Sequence, residues 1–463
     1  MRRFTAVTML VLAAAASAGC DWREFDDLKK KTPVVSITAP SDYPTKEEFG
    51  AILLAVPPPK DHTSAGRFVA TATHTASAAI VSFDASGAPN GVGVTSSTGI
   101  QQLEQGPIKA IGYVPETSEV VMGAPHSGGG DVLLMNMEAP HASNEPPQYP
   151  IQTFAPLVAD PWFGIGVAGG QIGGGAAPEI VVLSSTVLHV YVDHNVTNEI
   201  TRPTMGAADP CPIEFSTNLD DRDKVNRALI VWPLMATGTG VQIAVGSPAV
   251  TGVGHVSIFD VDVTTGTFTC SAMLAASDVR FGRSMALVDL DGQGGPDHLL
   301  VGAPPTHAYL YTLPLSTGQA PAAMVTETGA TGFGTAVAAL NIDGTAGDEM
   351  FVGDPDAKVG GTDAAGRVTV YGGAMMKALP STAFPNPLTE HDPGEGHAYG
   401  SAAVAMTFCP ANVVASSSPD GGAADAGSGA DGGVAACAPL PVIGATEKVY
   451  TYFGLKKPDP RVK

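Results

Sequence analysis

The sequence predicts an all-β fold assembled from repeated antiparallel sheets, and three observations carry that expectation. Glycine and proline are abundant, at 55 and 38 of 463 residues, which marks frequent turns. Apolar residues alternate in short runs, and no long stretch spaces them at helical intervals. The segment Phe281 to Leu313, FGRSMALVDLDGQGGPDHLLVGAPPTHAYLYTL, reads as three such runs joined by two turns, and its parts recur along the chain.

Composition bounds the rest. With 44% hydrophobic residues the chain can bury a large core, and length alone suggests about three domains unless repeats override that division. A formal charge of -21 argues against a nucleic-acid partner, which clustered Lys and Arg would have to hold. It suits an exported protein.

In chain order, residues 1–19 carry two arginines, an apolar stretch too short to span a bilayer, and then small residues, the pattern of an export signal. Ser17-Ala18-Gly19 directly before Cys20 resembles a bacterial lipobox, with serine where that pattern prefers leucine. The resemblance implies lipidation of Cys20 and an outer-membrane lipoprotein, periplasmic or at the cell surface, whose anchor spans no bilayer. An ordinary signal peptide cut near Ala18 is the other reading. Residues 20–48 read as a tether, interrupted at 34–39 by the strand-like run Val34-Val35-Ser36-Ile37-Thr38-Ala39.

The pattern of the opening segment then returns through residues 49–453. An aromatic-Gly pair or near equivalent stands at Phe49-Gly50, Ile111-Gly112, Phe163-Gly164, Phe281-Gly282, Phe333-Gly334 and Tyr399-Gly400, with a degraded start near Arg227-Ala228. An apolar-Gly-x-Pro close appears at Met122 to Pro125, Val245 to Pro248, Val301 to Pro304 and Val352 to Pro355, where glycine permits positive φ or a bulge. A third apolar run follows in each of the seven units, beginning at Ala78, Asp131, Thr186, His255, Ala308, Arg367 and Lys448.

Units of this size predict a seven-bladed β-propeller, which must close to hide its edge strands. The last unit lacks an outer strand, and residues 34–39 are expected to supply it and join the ends. Residues 415–435 are a low-complexity insert in the last blade, and 454–463 a tail.

These units resemble FG-GAP repeats, the blades of integrin α-chain propellers and of many bacterial exported proteins. The resemblance implies calcium in the Asp-rich loop between a blade's first two strands. Carried onto the fifth unit it gives Asp289, Asp291, Gln293 and Asp297, with the Gly295 carbonyl, and glutamine stands where Asp or Asn is usual. The sixth unit gives Asn341, Asp343, Thr345 and Asp348 in a loop one residue shorter. The third unit retains one carboxylate, Glu179, after Gln171, Gly173 and Gly175.

Beside Cys20, the four cysteines Cys211, Cys270, Cys409 and Cys437 permit three pairings, and sequence proximity suggests Cys211 with Cys270 and Cys409 with Cys437. The string Gly164-Ile165-Gly166-Val167-Ala168-Gly169 matches a dinucleotide fingerprint but has no helix after it. His189 and His194, read on one strand, fall on opposite faces, and His298 is expected to point away from any ion at Asp297. The expectation is a monomeric, non-catalytic binding or adhesion module for a protein or glycan. A hydrolase or lyase site in the central channel, marked by acids and histidines, and a purely structural envelope role are the alternatives.

Overall fold

The computed structural model describes residues 34–38, 50–56, 67–71, 80–84, 108–114, 117, 119–125, 129–136, 151–156, 159–170, 177–202, 209–214, 227–233, 241–249, 252–342, 346–379, 387–389, 398–408, 438–445 and 448–452. Apart from one three-residue 3-10 turn, the regular structure of these residues is all strand.

The strands form seven antiparallel sheets, each followed in sequence by the next. Their first strands are Ile52–Val56, Ala110–Val114, Gly166–Gly170, Leu229–Pro233, Ser284–Val288, Val337–Leu340 and Ala402–Phe408. Within a sheet most strands pair antiparallel with the one before them, and a connection as short as 304–306, between His298–Ala303 and His307–Thr312, allows only that pairing. Two strands depart from this: Leu388–Thr389 pairs with Arg367–Gly372 rather than with Lys377–Ala378, and Val34–Thr38 pairs antiparallel with Lys448–Tyr452, with Val34 opposite Tyr452, and so forms the outer edge of the last sheet.

Each first strand packs on the first strand of the following sheet, and Ala402–Phe408 packs on Ile52–Val56. The core lies between sheets. Phe281 is buried among residues of the fourth and fifth sheets, including Ala244, Val256 and Leu299. Phe333 is buried similarly between the fifth and sixth. The aromatic of the aromatic-Gly pair also meets aromatics on its own third strand edge to face: Phe281 lies 5.4 Å from Tyr309 and Phe333 6.4 Å from Tyr371, between ring centres.

Two features of the motif differ from their sequence reading. The glycine of the aromatic-Gly pair, such as Gly282 at φ +87°, adopts the left-handed conformation. The glycine of the Gly-x-Pro close, such as Gly302, is instead set by crowding, since a Cβ there would collide with the Gly334 backbone of the next sheet. In the second sheet Ala110 pairs with Gly123, whereas in the fifth Ser284 pairs with Gly302. Ile108 therefore holds the place of Gly282, and Ile111-Gly112 lies inside the strand rather than at its start.

Cys211 and Cys270 form a disulfide with 5.6 Å between α-carbons. It ties the segment ahead of the fourth sheet to that sheet's outer strand, Thr267–Ala275. Cys20, Cys409, Cys437, the insert 415–435 and the tail 454–463 lie outside the described residues.

Candidate functional site

The fifth loop joins Ser284–Val288 to His298–Ala303 and is organised by its own aspartates. Asp289 accepts the Gly292 amide on Oδ1 and the Gly294 amide on Oδ2, both at 2.7 Å, which folds the loop over its first carboxylate. Asp291 Oδ1 accepts the Gln293 amide at 2.9 Å. Asp297 Oδ1 accepts the Leu290 amide at 2.9 Å and lies 2.8 Å from His298 Nδ1. His298 thus turns toward Asp297, contrary to the simple alternation rule, because its ring is held on the other side by Thr312 Oγ1 at 3.2 Å.

The sixth loop reaches this same place. Asp348 Oδ2 accepts the Asp289 amide at 2.9 Å, and the Asp348 amide donates to the Asp289 carbonyl at 2.8 Å. Gly347 and Ala346 press on Leu290 and Gly292. Two loops that read as separate in sequence therefore meet in one acidic patch, with Asp348 bonded to the Asp289 backbone and within electrostatic reach of Asp289 and Asp297. Burial, and then the charges of Asp289 and Asp297, push the Asp348 carboxyl above its ordinary range. Burial acts to raise Asp297 too, but the hydrogen bonds from His298 and the Leu290 amide outweigh it and hold that group low.

The donor types suit calcium: hard carboxylate and amide oxygens on alternate residues, with Asp291 and Gln293 exposed and Gly295 half-buried. Asp289 Oδ1 and Oδ2 and Asp291 Oδ1 each accept one of these amides and keep a second lone pair, whereas Asp297 Oδ1 is shared by the Leu290 amide and His298 Nδ1. Among the described residues no three His, Cys, Asp or Glu side chains converge closely enough to hold a metal ion. Asp343 and Thr345, like Gln171, Gly173 and Gly175 of the third unit, lie outside those residues, while Glu179 is buried.

The other sequence signals resolve into packing. The Gly164 to Gly169 string runs into the strand Gly166–Gly170, which pairs with Glu179–Leu183. His189 Nδ1 lies 2.6 Å from Glu199 Oε1, and its Nε2 lies 3.2 Å from Ser184 Oγ. His194 is not on that strand, which ends at Tyr191; it sits in the following turn at φ +53°, 3.4 Å from Glu119 Oε2.

A cavity of about 220 Å³ lies where the first strands meet, and all seven sheets contribute to its wall. Leu53, Ile111, Val167 and Met285 give it an apolar surface, and Arg227, Arg283, Thr335 and Ser401 add polar groups. Its described lining contains no Asp, Glu or His. The large hydrophobic side chains exposed among the described residues are Val196, Val253, Met324 and Met375, without an aromatic cluster. Arg283, which stands directly after Phe281-Gly282, was not singled out by sequence, and Arg227 was named only as part of the degraded fourth start.

Against this geometry, no family model matches the chain, and no curated protein matches it either.

Proposed function

We propose that the chain is a closed seven-bladed propeller of the FG-GAP type that serves, lipid-anchored through Cys20 at the bacterial envelope, as a non-catalytic binding module for a protein or glycan. The observation that carries this reading is the recurring close contact between consecutive sheets. Gly123 lies against Gly164, Gly246 against Gly282, Gly302 against Gly334, Gly353 against Gly400, and Gly444 of the last sheet against Gly50 of the first. A ring so constrained is a rigid platform, and recognition falls to the loops it presents. Calcium in the joined fifth and sixth loops would relieve the repulsion of Asp348 by Asp289 and Asp297 and fix one rim of the platform.

Two experiments test this. Cys20→Ala should move the protein from the membrane to the soluble fraction, and unchanged fractionation overturns the anchor. Cross-linking capture from the native cells, in calcium and in chelator, should recover a specific protein or glycan partner with wild type. Its recovery should fall with chelator and with Asp291→Ala. Absence of a partner in every condition would overturn the binding reading in favour of a structural envelope role.

A further inference from the structure

In the third sheet the turn between Leu188–Tyr191 and Glu199–Arg202 carries the run Asp193-His194-Asn195-Val196-Thr197. Asn-x-Thr, with x other than proline, is the acceptor pattern for N-linked glycan, and in an exported chain it belongs on a surface turn. The pattern, with Ser or Thr in the third place, occurs once in the 463 residues. Its setting fits. Asp193 and His194 are both left-handed, at φ +54° and +53°, and the four residues that follow, Asn195 to Asn198, are all exposed. The turn is held by its own backbone: the Asn195 amide donates to the Val192 carbonyl at 3.0 Å, and the Asn198 amide to the Asn195 carbonyl at 2.9 Å. Thr197 donates to Asn195 Oδ1 twice, through its amide at 3.0 Å and through Oγ1 at 2.8 Å. Both bonds engage the oxygen of the carboxamide. Among the described residues Asn195 Nδ2 donates no hydrogen bond, so the nitrogen is left available.

We propose that Asn195 is a modification site that receives an N-linked glycan from a lipid-linked glycosyl diphosphate, through an oligosaccharyltransferase of the bacterial envelope. Asn195 Nδ2 attacks C1 of the donor's first sugar as the bond from C1 to the diphosphate oxygen breaks. The diphosphate leaves with that electron pair, and one Nδ2 proton passes to a carboxylate base of the transferase. The two bonds from Thr197 stabilise the negative charge that Oδ1 gathers as this proton is lost, which is the work a hydroxyl residue two places after the asparagine can do. Asp193 adds a second mark. Bacterial transferases of this class also read an acidic residue two places before the asparagine, and Asp193 is exposed there, with Oδ1 accepting the Ala177 amide at 3.3 Å and Oδ2 left for a cationic group of the enzyme. None of these residues belongs to the acidic loops or lines the central cavity. The inference rests on the export proposed above, and not on the lipid anchor or the binding role.

The test is peptide mapping by mass spectrometry on the full-length protein isolated from its own cells. The peptide containing Asn195 should carry the added mass of a glycan. Asn198, in the same exposed turn but with Ile200 in place of the hydroxyl residue, should be unmodified. Asn195→Gln and Thr197→Ala should abolish the added mass, Thr197→Ser should retain it, and Asp193→Asn, which suits the left-handed backbone, should lower its occupancy. All four changes fall on exposed side chains of a turn whose backbone bonds remain, so thermal melts should match the unmodified wild type. Unmodified Asn195 in protein whose signal has been cleaved overturns the proposal. Undiminished glycan in Asn195→Gln, Thr197→Ala or Asp193→Asn overturns it as well. Recovery of the chain only in uncleaved, cytoplasmic form overturns the export reading, and this proposal with it.

Discussion

A Cβ placed on Gly302 would lie 2.1 Å from the carbonyl oxygen of Gly334 on the neighbouring sheet. Real Cβ atoms do not approach backbone oxygen so closely, so neither sheet can keep its position once a side chain is added. The same relation holds at 2.0 Å between Gly246 and Gly282, and at 2.2 Å between Gly353 and Gly400. The two glycines of the repeat are thus a single device: one turns the chain at positive φ, and the other lets that turn press against it.

Gly302→Ala should therefore destabilise the protein by about 1–3 kcal/mol through overpacking. Gly170→Ala is the control, because a Cβ there meets nothing within 4 Å; its stability should stay within about 0.5 kcal/mol of wild type. Denaturant melts of the two variants compare them directly, and equal losses would falsify the crowding account.

Gly444 extends the relation to the chain's two ends, since its Cβ would meet the Gly50 carbonyl at 2.0 Å. Gly444→Ala should cost as much as Gly302→Ala. Deleting residues 1–39 should also lower the melting temperature, because it uncovers the edge of Lys448–Tyr452 that Val34–Thr38 now pairs. A wild-type melt after that deletion would show that the paired strand contributes nothing to the stability of the last sheet.

The acidic patch makes a prediction with opposite signs in two buffers. Asp348→Asn keeps an oxygen acceptor for the Asp289 amide but removes a charge that Asp289 and Asp297 repel. In chelator near neutral pH the variant should melt at or above wild type. In calcium the added stability seen for wild type should shrink, as ligand binding to the folded state requires. An equal calcium increment in both proteins counts against an ion there.

Acid should act through Asp297. Its folded pKa lies below the ordinary 3.8, so its stabilising contribution is present above that value and is lost as pH falls through the lower folded pKa. Asp348 has the opposite sign: its pKa is raised, so its contribution is fully present below 3.8 and is lost as pH rises through the raised value. The stability gap between wild type and Asp297→Asn should accordingly narrow as melts are taken below about pH 4. A gap that stays constant would mean that the loss reflects packing instead of charge.

The disulfide closes a loop with a sequence separation of 59 residues, and restricting the unfolded chain over that span is worth about 4 kcal/mol. Cys270→Ser should lower stability by that order, and reductant should then have little further effect on this link. Measuring both proteins with and without reductant separates this bond from the cysteines outside the described residues.

Much of the architecture was legible because it rests on local rules. Short apolar runs at His298–Ala303 and His307–Thr312, with turn residues between, specify antiparallel strands without reference to the rest of the chain. The third runs read at Asp131, His255 and Arg367 are strands at those residues. The second unit was misaligned at Ile111-Gly112 because its start has lost the aromatic and the glycine; only pairing of Ala110 with Gly123 restores the register. His194 was placed on a strand that in fact ends three residues earlier, at Tyr191, where the chain turns at positive φ.

By itself the sequence determined the class of fold, the repeat and the residues of the fifth loop, since strand period, turn chemistry and motif spacing act over a few neighbours. Tertiary structure alone decided which residues from distant units meet. It carried Asp348 onto Asp289, brought Arg227 beside Arg283 around one cavity, and placed Gly444 against Gly50. Those contacts depend on how whole sheets pack face to face, a relation between surfaces that no local pattern encodes.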